Sequence, residues 1–293
     1  MDIGMTMPLM EPDLDRVILH RWAIGLDRGP FSTLGLGERI AFWNPEPIAL
    51  LSACAAWTDR IALATTVLVA QLHDPVRLAK QLATIDLISN GRLIVGLGVG
   101  GRDEDYRALD RDPATMKQAE LAGRVDILKK VWSGEHWPRD ALHAVGPAAV
   151  QRGGPRLRSG AMGPKATRAA AAWAETVTGW NMIPDLKEIE RQFDLVRLAW
   201  REAGRPAPPL IASFWFGLGP GGRDQVATHV RRYLDYYDEA TLKVLASQAG
   251  FAGSAADLKA FLDRIADLGA DEVILGTTTA DPDEVARVAD IIG

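Results

Sequence analysis

The sequence predicts a (β/α)8 TIM-type barrel formed by a single domain over residues 1–293. Short apolar or β-branched runs alternate with longer segments of helical period, which is typical of βαβ units that feed a parallel sheet. The runs number eight, as a closed barrel of this kind requires. Runs such as residues 61–69 and 92–99 are almost continuously small or apolar, as expected of strands covered on both faces. A doubly wound open sheet is the alternative architecture.

The strands follow from these runs, and most helices have a recognisable beginning. The predicted strands cover residues 2–7, 31–37, 61–69, 92–99, 156–159, 176–179, 209–216 and 272–276. Pro45 and Pro47 begin a helix that runs to about Trp57, and Asp74-Pro75 supplies a cap and a first-turn proline for residues 76–88. Asn90-Gly91 then ends that helix, because both residues tolerate a left-handed backbone. Later helices are predicted at 164–174, 185–203, 225–249, 255–268 and 282–292.

Length and composition fit one large globular domain. The chain has 293 residues, 47% of them hydrophobic and 24% charged, which excludes a disordered or collagen-like protein. Residues 133–154 are the least regular stretch, rich in Gly, Pro, His and Trp. Because this stretch is too short for a domain, we interpret it as an excursion loop over one face of the barrel.

Charge and cysteine content exclude several classes of partner. The formal net charge is −5 and the basic residues are scattered, so we expect no nucleic-acid partner. Cys54 is the only cysteine, so no intrachain disulfide forms. The first residues are acidic, unlike a signal peptide, and the longest apolar run is too short to span a bilayer. We therefore expect a cytoplasmic protein with no membrane partner.

The segment Gly96-Leu97-Gly98-Val99-Gly100-Gly101 has the G-x-G-x-x-G spacing of dinucleotide-binding turns. Three βα units precede it and no second strand with an acidic end follows, so a barrel strand kept small beside a flat ligand is the better interpretation. The five histidines lack metal-ligand spacing, and no G-x-S-x-G or P-loop motif occurs. We predict no metal site.

Polar and glycine residues instead follow the predicted strands, at the barrel edge where active sites lie. They are Glu38 and Arg39 after the second strand, Thr65 and Thr66 in the third, Gly98 to Gly101 after the fourth, and Ser159 to Gly163 after the fifth. The last loop leads directly into a helix, so it is either a phosphate seat or an ordinary capped turn. Trp43, Trp180 and Trp215 also fall at strand ends and are candidate walls for a planar ring.

Several blocks resemble the bacterial luciferase-like family of flavin- and F420-dependent oxidoreductases. They are TDRIALATTV at 58–67, HDPVRLAKQ at 73–81, DLISNGRLIVGLG at 86–98, RDEDYRAL at 102–109, the stretch 159–180, and GADEV at 269–273. The likeness extends over nearly the whole chain and is most specific in its central third.

The resemblance implies a barrel that holds FMN or F420 at its C-terminal mouth and acts on a small organic substrate, with a homodimer as the family precedent. A non-prolyl cis peptide, here Thr66–Val67, would support the cofactor ring. The implied cofactor-binding residues are Thr65, Thr66, Val67, Gly98, Val99, Gly100, Ser159, Gly160, Ala161, Met162 and Gly163. Glu38, Arg39 and Trp43 would face the substrate in catalysis.

The sequence departs from the family pattern at Arg39, which stands where F420-using members often have histidine. Arginine stays protonated at physiological pH, so it cannot serve as a general base. It would instead stabilise charge on the reduced ring, hold an anionic substrate, bind a cofactor phosphate, or pair with Glu38 or another neighbour. The predicted function is hydride transfer or oxygen activation. The alternative is a non-catalytic carrier or sensor that binds a flavin or deazaflavin, which the missing histidine favours.

Overall fold

The computed structural model describes all residues 1–293. Ten strands form one sheet in which all pairings are parallel. In chain order they are β1 Asp2–Thr6, β2 Thr33–Leu36, β3 Ala62–Thr65, β4 Leu68–Val69, β5 Leu93–Gly98, β6 Arg156–Ser159, β7 Thr176–Val177, β8 Ile211–Leu218, β9 Phe251–Gly253 and β10 Glu272–Gly276.

Eleven α-helices connect and cover the strands. They are α1 Arg16–Arg28, α2 Pro47–Trp57, α3 Pro75–Ile88, α4 Asp103–Arg107, α5 Gln118–Trp132, α6 Pro164–Ala170, α7 Leu186–Glu202, α8 Gly222–Tyr233, α9 Glu239–Gln248, α10 Ala255–Asp267 and α11 Asp283–Ile292. None of them combines the length and the apolar composition needed to cross a bilayer.

The sheet has the strand order of a barrel, which confirms the predicted fold class. The order is β7-β6-β5-β3-β2-β1-β10-β8, with β9 added beyond β8. No ladder joins β7 to β8, and isolated hydrogen bonds close this side of the barrel. The Asn181 N–H donates to the Ser213 carbonyl over 2.8 Å, and the Thr176 hydroxyl donates to the Pro209 carbonyl over 2.5 Å.

The predicted strand 61–69 is divided in the structure. β3 ends at Thr65, the Thr66–Val67 peptide is cis, and β4 resumes for two residues that pair with the end of β5. The prediction of one continuous strand was therefore wrong. The predicted cis bond at Thr66–Val67 is confirmed.

The predicted helix 225–249 is also divided, into α8 and α9. Asp238 begins the second helix, because its carboxylate accepts hydrogen bonds from the backbone N–H and the hydroxyl of Thr241. The three-residue β9 that follows was not predicted. It pairs Phe251 with Phe216 and so extends the sheet at the end of β8.

Residues 133–155 contain no helix or strand, as the excursion-loop prediction requires. Asp86, near the end of α3, accepts hydrogen bonds from the backbone of Val150 and Gln151. The Gln151 side chain also donates to the carbonyl of Leu93, the first residue of β5. The loop therefore covers the amino-terminal end of the barrel, opposite the edge where barrel sites lie.

One continuous cluster of 56 buried apolar residues packs the helices against the barrel wall. A separate cluster of seven, which includes Trp215, Val226 and Val230, packs α8 and α9 on β8. Inside the barrel, the buried Arg158 guanidinium lies 2.9 Å from Glu272, whose carboxylate also accepts from Thr33. The second cluster fixes the position of α8, and α8 contributes to the cavity described next.

Candidate functional site

A cavity of about 240 Å³ opens at the carboxyl ends of the barrel strands. Its lining comes from β1, β8 and β10, from the loops after β1, β2, β3, β6, β7 and β10, and from α8. The 19 lining residues are Thr6, Met7, Leu9, Met10, Gly37, Thr66, Val67, Gly160, Met162, Thr178, Gly179, Trp180, Ser213, Trp215, His229, Tyr233, Ile274, Gly276 and Thr277. No Asp, Glu, Lys or Arg belongs to the lining, so the site suits an uncharged group.

Thr66 and Val67 form one side of this cavity. The backbone there is held by its neighbours: the Thr66 N–H donates to Leu36 over 2.7 Å, and the Val67 carbonyl accepts from Glu38 N–H over 3.2 Å. The strand order places β8 across the barrel from β3. On that side Trp215 and Trp180 pack edge to face with ring centroids 4.8 Å apart, so indole rings stand opposite the Thr66–Val67 peptide. Both tryptophans lie where the sequence predicts an aromatic wall.

The glycines of β5 leave space for a neighbouring backbone segment, the one between β3 and β4. A Cβ at Gly96 would lie 2.1 Å from the Thr65 carbonyl oxygen, and a Cβ at Gly98 would lie 2.8 Å from a Val67 methyl. Gly98, Val99 and Gly100 are absent from the cavity lining. The interpretation of this stretch as backbone beside a flat ligand is therefore corrected, because the kinked segment between β3 and β4 occupies the space.

Thr65 belongs to the same packing. Its hydroxyl donates to the Gly96 carbonyl and accepts from the Gly96 N–H, both over 2.8 Å. The side chain is 1% exposed and does not line the cavity. Thr65 therefore joins β3 to β5, whereas the next two residues, Thr66 and Val67, reach the cavity.

Glu38 is buried beside the cavity and does not line it. One carboxylate oxygen accepts from the Val69 N–H over 2.7 Å, and the other lies 2.8 Å from His73 Nε2. Both oxygens are thus engaged by the segment that follows the cis peptide. The expected position facing the substrate is not observed for Glu38.

Arg39 and Trp43 also lie outside the lining. Arg39 donates to the Tyr233 carbonyl over 3.0 Å and stacks on Phe42, and it forms no ion pair with Glu38. Burial and, next, the charge of Arg102 lower the pKa of Arg39. Trp43 is 53% exposed and stacks on Phe42. Arg39 therefore touches the cavity only through Tyr233, and Trp43 faces solvent.

The loop from β6 to α6 is brought to the cavity in part. Gly160 and Met162 line it, whereas Ala161 packs into the core and Gly163 is the residue before α6. Ser159 is buried, and its hydroxyl has no hydrogen-bond partner. α6 has seven residues and no side-chain cap.

His229 lines the cavity, and no motif in the sequence marks it as a site residue. Its Nδ1 lies 2.6 Å from Glu11, and the other oxygen of Glu11 accepts from Arg232 over 2.6 Å. Residues 226, 229, 230 and 233 share one face of α8, so the helical period shows that His229 and Tyr233 are inward-facing. Nothing local in the sequence connects positions 11 and 229, because only the folded barrel brings them together.

The profile of the luciferase-like monooxygenase family matches residues 19–293. The chain belongs to this family. An uncharacterised protein of Mycobacterium tuberculosis is 30% identical over 176 residues, which are 57% of this chain and 60% of that protein. The chain thus matches less than two thirds of the length of that curated relative.

Solved structures show the same fold over the whole chain. Monooxygenase RslO1 from Streptomyces bottropensis has a TM-score of 0.80 at 22% identity and covers 100% of this luciferase-like chain and 97% of its own. The coenzyme F420 dependent tetrahydromethanopterin reductase of Methanopyrus kandleri has a TM-score of 0.74 at 17% identity, covering 98% and 96%. The oxygenating constituent of 3,6-diketocamphane monooxygenase from Pseudomonas putida, in complex with FMN, has a TM-score of 0.73 at 16% identity, covering 100% and 96%.

Proposed function

We propose that this luciferase-like chain is an oxidoreductase that holds FMN or F420 in the cavity and acts on a small, uncharged organic substrate. The observation that carries this proposal is the uncharged slot between the Thr66–Val67 peptide and the Trp215 ring, at the barrel edge where active sites lie. Of the three structural relatives described above, one is named for F420 and one was solved with FMN, so the fold accommodates either ring.

The residues present fit such a ring. A Cβ at Gly37 would lie 3.8 Å from the Thr66 carbonyl oxygen, at ordinary van der Waals distance, so the glycine leaves the surface beside Thr66 flat. The cavity is slightly smaller than the ~300 Å³ at which pockets begin to hold whole drug-sized ligands. It therefore takes the ring system, and the rest of the cofactor extends over the mouth.

The chain's own residues would hold the cofactor at two places. Gly37, Thr66 and Val67 would support the ring, and the loop after β6, of which Gly160 and Met162 line the cavity, would bind the phosphate end through its backbone N–H groups. The bound cofactor supplies hydride transfer or oxygen activation. The protein supplies orientation and exclusion of water, since apolar side chains such as Leu9, Met10 and Ile274 surround the slot.

Separate titrations with FMN and F420 test the proposal, with cofactor absorbance and intrinsic tryptophan fluorescence as readouts. We expect one cofactor to bind the wild-type protein. Gly37→Val should weaken that binding about tenfold or more, because the added methyl groups enter the slot. Gly123→Val is the matched control, since Gly123 lies on α5 with nothing within 4 Å. Failure of both cofactors to bind the wild-type protein would refute the proposal.

A further inference from the structure

His229 has a position that no other side chain of the cavity shares. Among the lining residues, only His229 and Tyr233 carry a side chain that ordinarily gains or loses a proton below pH 11. Histidine is the one whose ordinary titration lies near neutral pH. An uncharged substrate held here therefore meets a single group suited to exchange a proton with it.

The two nitrogens of the His229 ring differ in their hydrogen-bond partners. Nδ1 lies 2.6 Å from Glu11, while Nε2 is buried and has no partner. The imidazole is 2% exposed, packs edge to face on Trp215 at 5.0 Å between centroids, and stacks on Tyr233 at 5.8 Å. The ring is thus held on its faces and at one nitrogen, and Nε2 is the nitrogen of this cavity-lining side chain that has no partner within the protein.

Glu11 fixes which nitrogen carries hydrogen. Its carboxylate can only accept, so the hydrogen between the two groups belongs to Nδ1 of His229. The neutral ring then has its lone pair on Nε2. Arg232 donates to the second Glu11 oxygen and holds the carboxylate in place. Glu11 is therefore a positioning residue, and His229 is the residue that reaches the cavity.

We infer, on the basis of the proposed function, that His229 is the catalytic proton acceptor and donor of this site, and that the substrate presents a neutral alcohol or ketone oxygen to Nε2. In alcohol oxidation Nε2 takes the hydroxyl proton as the O–H bond breaks, and the carbon passes its hydride to the oxidised flavin or deazaflavin. In the reverse direction the Nε2 proton would go to the carbonyl oxygen while the reduced flavin or deazaflavin would return the hydride to the carbon. The assignment supplies the base that Arg39 cannot provide and removes the feature that favoured a carrier.

The charged and titratable groups around the ring support this role. Glu11 faces it from the segment after β1, and Arg232 and Tyr233 lie beside it on α8. Arg39 donates to the backbone carbonyl of Tyr233 and forms no hydrogen bond with the imidazole. The positive charge that His229 acquires on taking a proton therefore lies against the Glu11 carboxylate.

The first test reads the ring directly in the cofactor-free protein. Nitrogen-15 NMR at about pH 9, above the ~6.5 at which imidazoles ordinarily titrate, reports which nitrogen carries hydrogen. We expect hydrogen on Nδ1 in the wild type. In Glu11→Gln, Arg232 retains the amide oxygen, so the amide NH2 faces Nδ1 and the hydrogen moves to Nε2. The signals of the His229 ring are assigned by their absence from the spectrum of His229→Gln. A wild-type ring with hydrogen on Nε2 would overturn the assignment.

The second test uses 4-methoxyphenol, a flat alcohol analogue that, like the tyrosine phenol, stays neutral at about pH 8, with intrinsic tryptophan fluorescence as the readout. We expect the wild-type protein to bind it at least about tenfold more tightly than His229→Gln does, because the phenol hydroxyl donates to Nε2. His143→Gln is the control, since His143 is an exposed histidine of the excursion loop. Equal affinity in wild type and His229→Gln, or no binding by either, refutes the role. Both tests are carried out without cofactor. Their failure can therefore be distinguished from failure of the FMN and F420 titrations.

Discussion

Glu38 allows a sharp test of whether a residue that the family resemblance assigns to catalysis is instead structural. Its two oxygens hold the Val69 N–H and the His73 ring, and the side chain is 6% exposed. Replacing Glu38 with alanine leaves the buried Val69 N–H without a hydrogen-bond acceptor. This loss lowers the free energy of unfolding by about 1–3 kcal/mol, because water does not reach the buried N–H to replace the carboxylate. His73 is partly exposed and recovers a water partner, so its loss adds about 1 kcal/mol or less.

We therefore expect Glu38→Ala to lower the free energy of unfolding by about 1–4 kcal/mol. Glu38→Gln is the matched variant. Its amide oxygen still accepts from Val69, and its NH2 can donate to a neutral His73 nitrogen, so we expect a loss of about 1 kcal/mol or less. Urea denaturation followed by tryptophan fluorescence measures both.

The same variants separate structure from chemistry. If Glu38 acts only by holding the segment after the cis peptide, Glu38→Gln should bind cofactor like the wild type. The reasoning fails if Glu38→Ala unfolds within about 0.5 kcal/mol of the wild type, or if the glutamine variant is as unstable as the alanine variant.

Two further predictions follow from shifted pKa values. Burial raises the pKa of the Cys54 thiol to about 12, so Ellman's reagent at pH 8 should label unfolded protein and spare folded protein; rapid labelling without denaturant would contradict this. For Asp27, burial favours a higher pKa, but hydrogen bonds from the Ile61, Arg60 and Asp59 N–H groups and the charge of Arg60 outweigh it and lower the pKa. The stabilisation is therefore present above the unfolded pKa of about 3.9 and is lost as pH falls through the folded value. Asp27→Asn should cost about 1–2 kcal/mol at pH 7, with a gap that narrows below pH 4; a pH-independent gap in urea titrations would contradict the assignment.

Much of the fold could be predicted because its signals are local. The apolar runs, the Asp74-Pro75 start of α3 and the Asn90-Gly91 end each depend on residues within a few positions of one another, and each appears in the structure near the predicted place. The division of 61–69 could not be derived from periodicity, since both halves are apolar. Only the family resemblance pointed to Thr66–Val67 as its position.

The candidate site was less predictable because side-chain direction depends on the assembled barrel. Glu38, Arg39 and Trp43 do follow β2, yet contacts with His73, Tyr233 and Phe42 hold them off the cavity. Conversely, the neighbourhood of Glu11 and His229 joins positions 218 residues apart. Such a pair has no local pattern, whereas Trp180 and Trp215 were found because they lie close to predicted strand ends, and in the structure Trp180 follows β7 and Trp215 lies within β8.

The excursion loop at the amino-terminal end gives a convenient handle for attaching the protein to a support. Leu142, within that loop, is 85% exposed, and the native thiol of Cys54 is buried. A Leu142→Cys variant would therefore present one accessible thiol, and a tether placed there would leave the mouth of the barrel pointing away from the surface.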